Sequence, residues 1–184
     1  DHSTITADVA VKALTATAST ANKTYDGTTT ATTTLTFTGL IGSETLGQTV
    51  GSTFNNKNVG TGKSVTVNSI TLADGSNGGL AANYSISPGQ TTTANVTAKA
   101  LTVTALTSNK IYDSTTLANT TLTLNGLIGS ETLNVTGNST FDNKNIGSGK
   151  TVTVNSITLT NGTNGGLATN YSVATGQTTT ATVT

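Results

Sequence analysis

The chain has 184 residues, zero formal net charge, 9% charged and 4% aromatic residues, one His, and no Cys, Met or Trp. All eight cations are Lys, too few and too scattered to build the basic face that nucleic acid requires. Zinc and iron–sulfur centres need Cys or several His, and no apolar run approaches the roughly 20 residues that span a bilayer. Thr, Asn and Gly contribute 47, 19 and 20 residues, a composition that leans towards a secreted or surface-exposed β-protein. No cationic segment leads into an apolar one as in a signal peptide, and the chain begins at Asp, so it reads as an excerpt or a processed product.

Shifting the sequence by 87 positions aligns it with itself without a gap. Residues 12–97 match residues 99–184 at 61 of 86 positions, and residues 39–46 (GLIGSETL) return unchanged as 126–133. Residues 1–11 read as the tail of a preceding repeat, because Thr4-Ile5-Thr6-Ala7 aligns with Thr91-Thr92-Thr93-Ala94. The reading is therefore a tail at 1–11, repeat one at 12–98 and repeat two at 99–184.

In chain order, Leu14-Thr15-Ala16 predicts the first strand and Leu35-Thr36-Phe37 the next, apolar residues alternating with Thr. Residues 40–46 are the one stretch able to hold a helical turn, with Ser43 placed to cap the amides of Thr45 and Leu46. Val65 and Val67 alternate with Thr, whereas Ile70 and Leu72 continue one residue out of phase. The slip at Asn68-Ser69 predicts a β-bulge or bend. Tyr84-Ser85-Ile86 and Ala94-Asn95-Val96 complete roughly six strands per repeat. Turns are expected at Asp26-Gly27, Gly51-Ser52, Gly60-Thr61-Gly62, Asn77-Gly78-Gly79 and Pro88-Gly89. The 18 Val, Ile, Leu, Phe and Tyr residues of repeat one suffice for a thin core. The fold expected is all-β: two tandem small domains, each a β-sandwich or β-grasp-like unit. Residues 91–102 carry neither Gly nor Pro, so the junction reads as strand passing into strand, a stiff joint that sets the units end to end.

Candidate chemistry is sparse. A Ser–His–Asp arrangement would depend on His2, which lies outside both repeats. Asp26 with Glu44, and Asp113 with Glu131, are the carboxylate pairs available for glycoside hydrolysis, but no Trp offers a sugar platform. Asp26 fits better as a turn cap, and Tyr25 and Tyr84 as core rings. The acids Asp26, Glu44, Asp74, Asp113, Glu131 and Asp142 are isolated, so no cofactor is expected, with calcium left open. Gly60-Thr61-Gly62-Lys63 and Gly147-Ser148-Gly149-Lys150 lack the first glycine of a phosphate loop and read as hairpin turns. Lys57 with Asn58, and Lys144 with Asn145, are candidates for a Lys–Asn cross-link; the preferred reading is exposed lysines that discourage edge pairing. Sequons beginning at Asn22, Asn95, Asn119 and Asn138 follow from the abundance of Thr.

The order K-A-L-T, N-K-x-Y-D-[GS]-x-T, F-x-N-K-N-[VI]-G-x-G-K, V-T-V-N-S-I-T-L and G-L-A-x-N-Y-S resembles the YDG-type repeats of large bacterial surface and secreted adhesins, including filamentous-haemagglutinin-like exoproteins. Lys23, Tyr25 and Asp26, and Lys110, Tyr112 and Asp113, carry the motif; Ser114 replaces its glycine, which implies that this position needs no positive φ. The resemblance implies a non-catalytic stalk module at the cell surface or outside the cell. Its expected partners are neighbouring repeats, with a host or matrix glycan or protein held through another region. The alternative is that each repeat is itself a glycan- or matrix-binding module.

Overall fold

The computed structural model describes residues 7–184. Their regular elements are strands, with two single 3-10 turns at Ala81–Asn83 and Ala168–Asn170. This follows from the sequence: β-branched Thr and Val favour extended backbone, and Gly and Asn interrupt it often enough to keep most strands short. Two compact units result. The first holds Thr28–Val96 and the described residues up to Lys23, and the second holds Thr24–Gly27 and Thr97–Thr184.

In the first unit, β1 (Lys12–Ala13) pairs in parallel with β8 (Tyr84–Ser85), and β2 (Thr15–Thr20) pairs antiparallel with β5 (Thr33–Thr38). The larger sheet is built from β3 (Lys23–Thr24), β4 (Thr30–Ala31), β6 (Leu46–Phe54), β7 (Gly60–Asp74) and β9 (Thr91–Thr97), in the order β3-β9-β7-β6-β4. Gln48 links β6 to β5, in a different sheet, by imitating a strand. Its amide oxygen accepts from Leu35 N at 2.9 Å and its amide nitrogen donates to Leu35 O at 2.7 Å.

In the second unit the counterparts of β1 and β2 fuse into β10 (Lys99–Thr107). It lies between β12 (Thr120–Asn125) and β15 (Tyr171–Val173), parallel to the latter. The other sheet runs β11 (Leu117–Ala118), β13 (Leu133–Phe141), β14 (Gly147–Asn161), β16 (Thr178–Val183). Here Phe141, Val152, Ala181 and Val183 form a core cluster with Ala118 against it. Leu14, Leu35, Phe54, Val65, Val67 and Val96 are buried in the first unit. The first unit is thus built of three sheets and the second of two, each around a thin apolar core, and no α-helix covers a sheet among the described residues.

The phase slip at Asn68-Ser69 is a bulge. Gly51 pairs with Ser69 and Ser52 with Val67, so Asn68 is the extra residue; Asn155 takes the same place in β14. The bulge keeps Val65 and Val67 inward while the strand continues past it. Four expectations are corrected. Gly51-Ser52 is not a turn but lies within β6, where Gly51 pairs with Ser69 and Ser52 with Val67. Gly60-Thr61-Gly62 and its copy are not hairpin turns: the chain reverses at residues 55–59, and Gly62, at φ 58°, forms a second bulge at the start of β7. Ser43 does not cap Thr45, whose N–H donates to Ser76 O at 3.1 Å. Strands are also more numerous than six per repeat, because short pieces such as β3 and β4 break off at Thr-rich corners. Ala98 alone separates β9 from β10.

Candidate functional site

The N-K-x-Y-D motif resolves into separate tasks. Asn22 Oδ1 accepts from Asn95 N at 2.7 Å, and Asn109 Oδ1 accepts from Thr182 N at 2.8 Å, so this side chain serves as a strand partner at an edge. Lys23 Nζ donates to Thr28 O, Thr28 Oγ1 and Thr30 O at 2.9, 3.1 and 3.0 Å and lies 5.7 Å from the centre of the Phe54 ring. Lys110 repeats this with Thr115 O, Thr115 Oγ1 and Leu117 O over Phe141. These two lysines of the motif are turned to internal partners. Each closes one end of the apolar core and gathers a loop, its ammonium held by carbonyls and by the negative ring face.

Asp113 Oδ1 accepts from Lys110 Nζ at 2.7 Å and from Thr115 N and Oγ1, both at 2.9 Å. The ammonium hydrogen bond, then the Thr115 amide, bring the carboxyl down from 3.8 to about 2. Because the folded value is the lower one, this contribution is complete above the unfolded pKa and is lost as pH falls through about 2. Acid unfolding followed by circular dichroism is expected to begin at higher pH in Asp113→Asn than in the parent chain.

The residue after Asp113 corrects the sequence reading: Ser114 has φ 68°, where Gly27 has φ 79°. The position does demand left-handed backbone, and Ser114 bears the strain. Ser114→Gly is expected to stabilise the chain by about 1 kcal/mol, read as a raised thermal midpoint.

Tyr25 is the motif's buried member, at 1% exposure. It lies in the segment Thr24–Gly27 of the second unit, where its N–H donates to Thr97 O at 2.8 Å. Its hydroxyl donates to Glu131 Oε1 at 2.7 Å, and the Tyr171 hydroxyl donates to Glu131 Oε2 at 2.6 Å. The two rings meet edge to face with centroids 5.4 Å apart. Tyr171 Oη also accepts from Ile128 N at 3.1 Å. A buried carboxylate is thereby clamped between two phenols, and these charge-assisted hydrogen bonds offset its desolvation. Burial, then the bond to Glu131, push the Tyr171 hydroxyl up to about 12. A raised folded value means that this contribution is complete below the ordinary value of 10.0 and is lost as pH rises through about 12. Alkaline titration of tyrosinate absorption should therefore show a late-ionising fraction, and that fraction should shrink in Tyr171→Phe.

The first unit carries the same socket in open form. Tyr84 Oη donates to Glu44 Oε2 and accepts from Ile41 N at 3.2 Å, and the bond to Glu44 raises its pKa. Glu44 Oε1 accepts no hydrogen bond from any described residue. A cavity of about 280 Å³ lies there, lined by Val9, Val11, Ile41, Glu44, Asn83 and Tyr84 among others. Shifted by 87 positions, Ile41, Glu44, Asn83 and Tyr84 become Ile128, Glu131, Asn170 and Tyr171 of the closed socket.

The remaining candidates lie elsewhere. Lys57 and Asn58 are half-buried in the loop between β6 and β7; Lys144 is exposed, and Asn145 N donates to Asn143 Oδ1 at 3.0 Å. Lys150 Nζ pairs with Asp142 at 3.0 Å and Asn143 at 2.5 Å. The structure gives Asp113 and Glu131 different partners and does not join them as an acid/base pair. No group of three or more His, Asp or Glu suited to a metal occurs among the described residues, and His2 lies outside them. What the sequence reading missed is the role of Glu131 and Tyr171; the available signal was that G-L-I-G-S-E-T-L and N-Y-S return unchanged in both repeats.

No curated protein and no solved structure matches this chain. The YDG domain model matches it twice, over residues 10–94 and 97–181. With nearly its whole length covered by two tandem copies, the chain belongs to the YDG domain family.

Proposed function

We propose that these are non-catalytic spacer repeats in the stalk of a bacterial surface or secreted adhesin, outside the cell, projecting a binding region borne elsewhere. The observation that carries this reading is where the reactive side chains are spent. Lys23 and Lys110 gather loops over Phe54 and Phe141, Asp113 caps a turn, and Glu131 is enclosed by two tyrosine hydroxyls. Groups committed to internal bonds at 2.6–3.1 Å hold a fold and are not poised to move protons on a substrate. The Thr-rich faces keep the surface hydrated, and zero net charge limits nonspecific attraction. Neighbouring repeats of the same chain are then its principal partners. The test is a glycan and matrix-protein array probed with the purified pair. The spacer reading expects no saturable binding; tight capture of a glycan or matrix protein would replace it with the reading that each repeat is itself adhesive.

A further inference from the structure

Among the described residues stand one filled socket, one open socket and one further tyrosine of the kind that fills them. Tyr112 corresponds to Tyr25, and its backbone is posed alike: Tyr112 N donates to Thr184 O at 2.8 Å, as Tyr25 N does to Thr97 O at 2.8 Å. Yet Tyr112 is 43% exposed and neighbouring Ile111 80% exposed, where Tyr25 is buried. The open socket presents a complementary set: the Glu44 carboxylate, the Tyr84 ring, and Ile41 at 55% exposure.

We propose that residues 112–114 of one copy of this chain seat in the Glu44–Tyr84 pocket of a second copy, so that copies of these 184 residues associate head to tail. Tyr112 Oη would donate to Glu44 Oε1 as Tyr25 Oη donates to Glu131 Oε1, and its ring would meet Tyr84 edge-on as Tyr25 meets Tyr171. The pairing joins two different surfaces and leaves one of each unused at the ends, so it propagates rather than closing on a dimer. Ser114 makes the fit looser than that of its counterpart. A Cβ at Gly27 would come within 2.7 Å of Ile128 Cγ2, so Ser114 must displace Ile41 on seating. The inference rests on the Tyr25 geometry and not on the adhesin reading; a chain that stayed monomeric would leave the spacer function standing.

Sedimentation velocity of the full chain over a range of concentrations tests it. The parent chain is expected to form species that grow beyond dimer as concentration rises. Tyr112→Ala and Glu44→Gln, each keeping the parent circular dichroism spectrum, are expected to sediment as monomers. Mixed in equal amounts, they should form a dimer and stop there, because one intact tyrosine meets one intact socket. Ser114→Gly should bring association on at several-fold lower concentration. A parent chain monomeric throughout, association that survives in both variants, or a mixture that stays monomeric would overturn the proposal.

Discussion

Tyr25→Ala is expected to destabilise the second unit by about 3–5 kcal/mol, whereas Tyr112→Ala, the same change in the same motif 87 residues later, should fall within about 0.5 kcal/mol of the parent. The difference comes from environment, not from residue type. Tyr25 is fully enclosed, stacks edge-on against Tyr171 and donates to Glu131, so truncation removes a large apolar area, an aromatic pair and a charge-assisted bond together. Tyr112 is 43% exposed, and much of what its ring loses on truncation is contact with water. Calorimetry should show the first change as a drop of more than about 10 °C in one transition. A chain that tolerated both substitutions equally would mean that the Tyr25 ring contributes little to the second unit.

Glu131→Ala should cost about 3 kcal/mol, and Glu44→Ala less than about 1 kcal/mol. Hydrogen bonds to a charged group contribute about 1.5–3 kcal/mol, and Glu131 makes two of them to hydroxyls that are themselves enclosed. Removing the carboxylate strands both donors in a site water does not readily enter. Glu44 is half-exposed and bonds Tyr84 alone among the described hydroxyls, so water replaces it. Glu131→Gln should fall between, because an amide oxygen can accept one phenol but not both. Denaturant unfolding of the three variants at neutral pH orders them, and equal costs at Glu131 and Glu44 would contradict the enclosure argument.

Most of the fold was legible in the sequence because strands declare themselves by alternation. Val65, Val67, Ile70 and Leu72 marked not only a strand but the residue at which it bulges. Leu46–Phe54 was harder to see, since Gly47 and Gly51 interrupt the alternation and resemble turn punctuation; their role, close approach of a neighbouring strand, appears only once that strand is in place. Ser114 misled for a related reason. A non-glycine residue at a motif glycine suggests relaxed backbone, but the loop geometry set by Lys110 and Asp113 holds φ positive whichever residue stands there. The site was the least legible part. Tyr25 and Glu131 are 106 residues apart, and no local pattern announces that a tyrosine of the first repeat's motif is enclosed in the second unit. Only the unvarying E-T-L and N-Y-S segments hinted that Glu131 and Tyr171 had work in common.

The motif tyrosine Tyr25 is a structural plug held by the Glu131 carboxylate. A double-mutant cycle with Tyr25→Phe and Glu131→Gln measures that directly. The two substitutions are expected to be coupled, their combined cost differing from the sum of the single costs by about 1.5 kcal/mol, because each removes the same hydroxyl–carboxylate bond. Additivity to within about 0.3 kcal/mol would show that the hydroxyl and the carboxylate act independently, and would contradict it.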